Sequence, residues 1–265
     1  MKLIMRFKSL IEKISKTKSS NLIVALDLNI NNRKAQLEKC EKIIESIEPF
    51  ICAIKVNMHL LLPLGLYDGV KRLVDFSHKL DILSIMDFKI NDIGDTNKVI
   101  AEHCFKVGFD AITANPFIGW KNGLEPVVNM AKELGKGVIL LCYMSHEGAK
   151  EGYGQIVLDP GDKKLKPQYE IFCKKAIEWD VDGVIVGATY LEKLYEISKI
   201  LEEKIPIYSP GIGFQGGNAL EAIKAGASYL IIGRSIILSS DPSKAVKEIY
   251  ESVKPLIVNG GLNEF

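Results

Sequence analysis

The chain has 265 residues, of which 47% are hydrophobic and 25% charged, a composition typical of a globular protein that can bury a large core. Its 34 basic residues nearly balance 33 acidic ones, so no net field indicates a nucleic acid or an anionic membrane as partner. The five cysteines are scattered, odd in number and never in a Cys-x-x-Cys pair, which indicates reduced thiols in a cytoplasmic protein and argues against a zinc site.

The first twenty residues are basic and carry apolar side chains at helical spacing. They lack the uninterrupted apolar core and the cleavage site of a signal peptide, and no segment elsewhere reaches the roughly 18 apolar residues that a membrane span needs. We therefore expect residues 1–20 to form an amphipathic helical extension that covers one end of the fold. Peripheral membrane contact is the lesser alternative.

Apolar, β-branched runs alternate with helical periodicity along the rest of the chain. Strands are predicted at 22–26, 50–56, 82–89, 111–114, 137–143, 183–186, 205–209 and 229–232. Helices are predicted at 33–47, 67–80, 96–107, 123–134, 169–179, 191–201, 216–225 and 243–253. Near-continuous apolar strands are typical of a parallel sheet that is covered on both faces.

Eight such strand–helix units predict a single-domain (β/α)8 TIM barrel over residues 21–255, with a C-terminal tail at 256–265. An open dinucleotide-binding sheet is disfavoured because no Gly-x-Gly-x-x-Gly follows the first strand. The segment 145–167 is longer than most connections in such folds, and its role is open.

Charged side chains stand where three of the predicted strands end. Asp27 follows the first strand and Lys55 lies near the end of the second. Asp87 and Lys89 end the third strand, with Asp92 just beyond, and side chains two apart on a strand share a face. Because the C-terminal ends of barrel strands meet at one mouth, these charges should converge there. A salt-bridged strand end would explain any one of them, but several together favour a catalytic centre.

Glycine-rich loops follow the last two predicted strands. The seventh leads into 210–217 (Pro-Gly-Ile-Gly-Phe-Gln-Gly-Gly), and the eighth into Gly233-Arg234-Ser235. Loops at these positions commonly bind phosphate, since glycine lets the backbone approach the oxygens and an arginine donates in bidentate fashion. Glycine also favours any tight turn, but two such loops, one with Arg234, favour a phosphate site.

At this point the chain resembles the orotidine 5′-phosphate decarboxylase family. Asp87-Phe88-Lys89-Ile90-Asn91-Asp92 is similar to its Asp-x-Lys-x-x-Asp signature. Lys55, the loop 210–217 and Gly233-Arg234-Ser235 match that family in order and spacing, over about residues 21–253. Two positions depart from the commonest pattern: Gly94, where proline is frequent, and Phe214, where a small residue is common.

The resemblance implies decarboxylation of orotidine 5′-monophosphate (OMP) to uridine 5′-monophosphate (UMP), the last step of de novo pyrimidine biosynthesis, without cofactor or metal. Four residues would form an alternating charged array in which Lys89 protonates the C6 carbanion: Lys55, Asp87, Lys89 and Asp92. Seven others would contact substrate: Asp27 and Thr96 at the ribose, Ser145 at the pyrimidine amide, Gln215, Gly233 and Arg234 at the 5′-phosphate, and Pro210. In the implied homodimer, Asp92 and Thr96 would cross the interface.

Two other functions stay open. 3-Hexulose-6-phosphate synthase shares the Asp-x-Lys-x-x-Asp signature but uses Mg²⁺, and it has an acidic residue where Lys55 stands, because a metal site needs carboxylates. Lys55 argues against that enzyme, and the dispersed histidines suggest no metal ligands. A non-catalytic phosphate-binding barrel is the other alternative, disfavoured by the complete charged array.

Overall fold

The barrel is built from eight parallel strands, as described for residues 4–258 by a computed structural model. The barrel strands are β1 (Leu22–Ala25), β2 (Ala53–Val56), β3 (Leu83–Ile90), β4 (Ala111–Ala114), β5 (Gly137–Tyr143), β8 (Gly183–Val186), β9 (Ile207–Pro210) and β10 (Tyr229–Ile232). Two short strands, β6 (Ile156–Leu158) and β7 (Leu165–Pro167), form an antiparallel hairpin outside it. The order around the closed sheet is β1-β10-β9-β8-β5-β4-β3-β2, which confirms the predicted single-domain (β/α)8 barrel.

The helices flank these strands in the expected alternation. They are α1 (Phe7–Lys18), α2 (Arg33–Ile47), α3 (Met58–Leu64), α4 (Lys71–Lys79), α5 (Gly94–Val107), α6 (Glu125–Leu134), α7 (Ala149–Gly152), α8 (Gln168–Glu178), α9 (Leu191–Leu201), α10 (Ala219–Lys224), α11 (Arg234–Ile237) and α12 (Pro242–Val258). Every residue of β1, β2, β4, β5, β8 and β10 is buried, because helices cover the outside of the barrel and side chains fill its interior. In the described part of the chain, no helix has the length and apolar character to cross a bilayer.

Several segments differ from the sequence-based prediction. The helix expected at 67–80 begins only at Lys71, as α4, because the stretch Gly65–Val70 before it is irregular, with non-helical backbone at Asp68 (φ −110°, ψ −106°). Helix α3, which ends just before Gly65 (φ +74°), was not predicted. The segment 145–167, for which no element was predicted, contains α7 and the β6–β7 hairpin. The one-turn helix α11 was also missed, and α12 runs to Val258, past the predicted start of the tail.

Helix α1 lies across the N-terminal end of the barrel. Arg6, just before the helix, donates to Asp180 Oδ2 (2.6 Å) and Asp182 Oδ1 (3.3 Å), in the connection that leads into β8. Phe7 and Ile11 are fully buried. A Cβ on Gly137, the first residue of β5, would overlap the Phe7 ring, so glycine is required for this close approach. The apolar face of α1 is therefore occupied by the barrel.

Phe7→Ala should lower the free energy of unfolding by about 3 kcal/mol, because it leaves a cavity between α1 and the start of β5. Urea unfolding of the purified protein measures the change. Lys13→Ala, on the exposed face of the same helix, is the matched control and should change stability by less than about 0.5 kcal/mol. Equal stabilities of the two variants would contradict the docking of α1.

Candidate active site

Three charged side chains meet at the C-terminal mouth of the barrel. Lys55 Nζ, from β2, lies 2.5 Å from Asp87 Oδ2, and Lys89 Nζ lies 2.9 Å from Asp87 Oδ1. Lys55 and Asp87 are buried, whereas the Lys89 side chain is 37% exposed and faces the opening. The mouth thus holds one carboxylate between two ammonium groups, of which only Lys89 is readily accessible to a ligand.

The backbone of β3 departs from a regular strand to make this arrangement. Lys89 has φ +56°, and the register between β3 and β4 shifts between Met86 and Ile90. The Lys89 N–H donates to Thr113 Oγ1 (2.9 Å), and the Thr113 hydroxyl donates to Asp87 Oδ1 (2.9 Å). A left-handed conformation at a non-glycine residue costs about 1–3 kcal/mol and is common at functional sites. The predicted pairing of Asp87 with Lys89 is present, but through a bulge and not through regular alternation.

Mutual attraction keeps the buried members of this array charged. Burial alone would raise the pKa of Asp87, but Lys55 and Lys89 outweigh it and hold that pKa well below its ordinary value. Burial would lower the pKa of Lys55, but Asp87 and Asp27 outweigh it and raise that pKa. Asp87 therefore contributes stability above an unfolded-state pKa of about 3.9 and loses it as the pH falls further, while Lys55 contributes below about 10.4 and loses it as the pH rises further. Between these two pH values, both Asp87 and Lys55 stay charged.

A cavity of about 240 Å³ opens beside this array. Its lining includes most of the predicted site residues, namely Asp27, Lys55, Asp87, Lys89, Ser145, Pro210, Gln215, Gly233 and Arg234. Asp27 Oδ1 is buried and has no hydrogen-bond partner among residues 4–258. A buried acceptor without a partner is costly unless a ligand supplies the donor, so Asp27 is suited to bind a hydroxyl group.

Asp92 and Thr96 do not line this cavity. Both are exposed, Asp92 in the connection after β3 and Thr96 in the first turn of α5. The amide of Asn97 holds the backbone here: its Oδ1 accepts from the Asp92 N–H at 3.0 Å, and its Nδ2 donates to the Gly123 carbonyl at 3.1 Å. Within one chain, these two predicted residues are therefore separated from the other nine.

The loop after β9 forms the opposite wall. It closes on itself: the Gly213 N–H donates to the Gly217 carbonyl at 2.8 Å, and the Gly217 N–H donates to the Gly211 carbonyl at 3.0 Å. Gly211 (φ +100°) and Gly213 (φ +74°) both need the left-handed conformation that glycine adopts without strain. Arg234, at the start of α11, points into the same space. The wall therefore offers the Arg234 guanidinium to an anion.

Several lining residues were missed by the sequence analysis. Asn57 follows Lys55 at the end of β2 and accepts from the His59 N–H (2.9 Å), so it both caps α3 and faces the cavity. Its position two residues after Lys55 could have identified Asn57 from the sequence as a residue of the barrel mouth. The apolar side chains of the barrel strands and of Met144 carry no such signal, because they look like core residues in the sequence: Leu141, Met144, Ile185 and Ile231. Among residues 4–258, no three His, Cys, Asp or Glu side chains are grouped so as to hold a metal ion.

Comparison with known proteins points to one family. Residues 20–249 match the family model described as Orotidine 5′-phosphate decarboxylase / HUMPS family. The chain is 36% identical over 233 residues to the orotidine 5′-phosphate decarboxylase of Methanosarcina mazei, a match that covers 88% of this chain and 94% of the relative.

Solved structures agree with this comparison. Orotidine 5′-monophosphate decarboxylase from Methanocaldococcus jannaschii, complexed with the inhibitor BMP, superposes with a TM-score of 0.72 at 29% identity, over 88% of this chain and 97% of that one. The Leishmania donovani OMP decarboxylase gives a TM-score of 0.83 at 25% identity, over 96% of this chain and 100% of that one.

Proposed function

The chain belongs to the orotidine 5′-phosphate decarboxylase / HUMPS family, and we propose that it converts OMP to UMP and CO2 in the cytoplasm, as the last step of de novo pyrimidine biosynthesis. The observation that carries this proposal is the Lys55–Asp87–Lys89 array across the cavity from a glycine-rich loop and Arg234. Such a cavity suits a ligand with an anionic reacting group at one end and a phosphate at the other.

In the proposed reaction, the bond between C6 and the carboxylate breaks and its electron pair remains on C6. Lys89 stabilises this developing carbanion by its charge and then donates a proton to it, which gives UMP without a cofactor. Asp87 lies against the departing carboxylate, and Lys55 orients Asp87. Two like charges about 4 Å apart repel by about 4 kcal/mol at an effective dielectric of 20, or about three powers of ten in rate. Lys89 and remote phosphate binding must supply most of the remaining acceleration.

The remaining lining residues bind the parts of the substrate that do not react. Asp27, whose Oδ1 lacks a partner among residues 4–258, accepts a hydrogen bond from a ribose hydroxyl. Ser145 contacts the pyrimidine amide. The phosphate is held by Gln215, Gly233 and Arg234, with Pro210 beside them.

The proposal includes a homodimer in which Asp92 and Thr96 complete the site of the neighbouring subunit. Both side chains are exposed, and next to them lie two large apolar side chains that a partner would cover, Ile93 (68% exposed) and Val99 (52% exposed). Exposed aliphatic side chains beside functional polar residues are typical of an interface between subunits.

Co-expression of a Lys89→Ala chain with an Asp92→Ala chain tests this sharing. In a two-fold dimer that exchanges Asp92, each mixed dimer has one site with both defects and one site with neither. Random mixing should therefore restore about a quarter of wild-type turnover, while each variant alone stays inactive. A mixture no more active than the separate variants would contradict sharing of the site.

The activity of 3-hexulose-6-phosphate synthase, which uses Mg²⁺, is the second candidate function. The array of Lys55, Asp87 and Lys89 disfavours it. Lys55 Nζ lies 2.5 Å from Asp87, so an ammonium group already neutralises the carboxylate that a metal would need. The proposed decarboxylation should proceed unchanged in EDTA.

The experiment that tests the proposed function is a spectroscopic assay of the purified protein with OMP. We expect loss of the orotate absorbance, release of CO2 and formation of UMP, with equal rates with and without EDTA. A protein that binds OMP but leaves its absorbance unchanged would be a non-catalytic phosphate-binding barrel and would overturn the proposal.

A further inference from the structure

The guanidinium of Arg234 lies over the ring of Phe214. The guanidinium carbon lies 3.9 Å from the centre of the ring, which is a close cation–π stack. Phe214 is 63% exposed, although a large apolar side chain at the tip of a loop gains little from exposure to water. The contact with Arg234 accounts for an aromatic ring at this position.

The stack leaves the hydrogen-bonding edge of Arg234 free. A guanidinium donates in its own plane, so a ring against its face blocks none of its five N–H groups. Within residues 4–258, no carboxylate forms an ion pair with Arg234, and its side chain lines the cavity. The ring thus restricts the guanidinium, while the N–H donors of Arg234 have no partner among residues 4–258 and stay available to a phosphate.

The backbone around Phe214 is tied to the same element as Arg234. The Phe214 N–H donates to Ser235 Oγ at 2.8 Å, and Ser235 is the neighbour of Arg234 in α11. A Cβ on Gly213 would overlap Ser235 Oγ, so the loop can approach α11 this closely only with glycine there. The loop after β9 and the start of α11 therefore hold the two stacked groups together from both sides.

We propose that Phe214 is a positioning residue that pre-orients Arg234 for the 5′-phosphate of the nucleotide. A free arginine side chain must lose rotational freedom when it binds a phosphate, and a side chain already held in place loses less. The inference rests on the proposed function only in taking a nucleotide phosphate as the ligand.

Isothermal titration with UMP and with uridine, which lacks the phosphate, tests this role. Phe214→Ala should weaken UMP binding by about two- to fivefold, the size of an exposed cation–π contact, and leave uridine binding unchanged. Phe214→Leu keeps an apolar side chain but no aromatic face, so it should resemble Phe214→Ala. Phe214→Tyr keeps the stack and should bind UMP like the wild type.

A double-mutant cycle separates positioning from a merely structural role. If Phe214 acts through Arg234, adding Phe214→Ala to an Arg234→Ala variant should cause no further loss of UMP affinity. Equal losses with and without Arg234, or wild-type affinity in Phe214→Leu, would overturn the inference.

These outcomes are distinct from those that test the reaction. If the wild-type protein leaves OMP intact, and Phe214→Ala binds UMP more weakly than the wild type, the proposed function is refuted and the positioning role is kept. If the wild-type protein turns over OMP, and Phe214→Leu binds UMP as tightly as the wild type, only the positioning role is refuted.

Discussion

Lys89→Ala should abolish decarboxylation, with kcat lowered by at least about 10⁴-fold. The substitution removes both the proposed proton donor and the cation nearest to the developing carbanion, and among residues 4–258 the other lysine that lines the cavity is Lys55. Lys55 is buried and paired with Asp87 at 2.5 Å, whereas Lys89 faces the cavity. The measurement is the rate of absorbance loss with saturating OMP, extended to hours for the variant.

Two controls define this result. Lys106→Ala removes an exposed lysine in the last turn of α5 and should leave kcat unchanged. Titration calorimetry of UMP binding to the Lys89→Ala variant checks that the cavity is still formed. Turnover by Lys89→Ala within tenfold of the wild type would eliminate Lys89 as the proton donor.

Asp87→Asn should lower turnover by about 10³-fold, because the amide no longer repels the substrate carboxylate. It should also destabilise the fold by about 3 kcal/mol, since Lys55 remains buried without its charged partner. Assays with OMP and urea unfolding at neutral pH measure the two effects.

The pH dependence of this stability loss gives an independent check. With Asp87 gone, burial should bring the folded-state pKa of Lys55 below its unfolded value. The unfolded chain then binds more protons, so the stability of the variant should rise with pH toward 10, while the wild type gains nothing from Lys55 there. The difference in the free energy of unfolding between the wild type and Asp87→Asn should therefore become smaller in alkaline solution. A difference that does not change with pH would contradict this explanation.

Asp110→Asn is the matched control for Asp87→Asn. Asp110 is also a buried carboxylate with basic partners, His78 at 2.8 Å and Lys136 at 3.0 Å, but it precedes β4 at the opposite end of the barrel. This variant should lose stability and keep its turnover. A comparable loss of kcat would show that the effect of Asp87→Asn on rate is only a consequence of destabilisation.

Local patterns in the sequence were sufficient for most of the fold. The bounds of α2, β4, β5, β8, α9 and β10 agree with those predicted, because uninterrupted apolar runs and helical spacing there end at clear turn residues. The late start of the helix expected at 67–80 was missed because the spacing of apolar residues does not show a local kink such as the non-helical backbone at Asp68. The β6–β7 hairpin was missed because β6 and β7 have only three residues each, which is too short for a periodic pattern.

The site was predictable for a different reason. Strand ends converge in any such barrel, so residues distant in the chain, such as Lys55, Asp87 and Arg234, could be assigned to one mouth from their positions alone. The conformation of Lys89 could not, because its bulge depends on Thr113 of the neighbouring strand. The stack of Phe214 on Arg234 likewise depends on how two loops approach each other in space.

The position of α1 has a consequence for how the chain folds during synthesis. Arg6 and its partner Asp180 are 174 residues apart, so the ribosome must add nearly two thirds of the chain before α1 can dock. At about 5–20 residues per second, that delay is on the order of ten to thirty seconds. During this interval Phe7 and Ile11 lack part of the barrel that buries them, and β1 lacks its partner strand β10. The first helix to be made is thus among the last to gain all of its contacts, and apolar surface that is exposed in this way is prone to aggregation until the second half of the barrel is made.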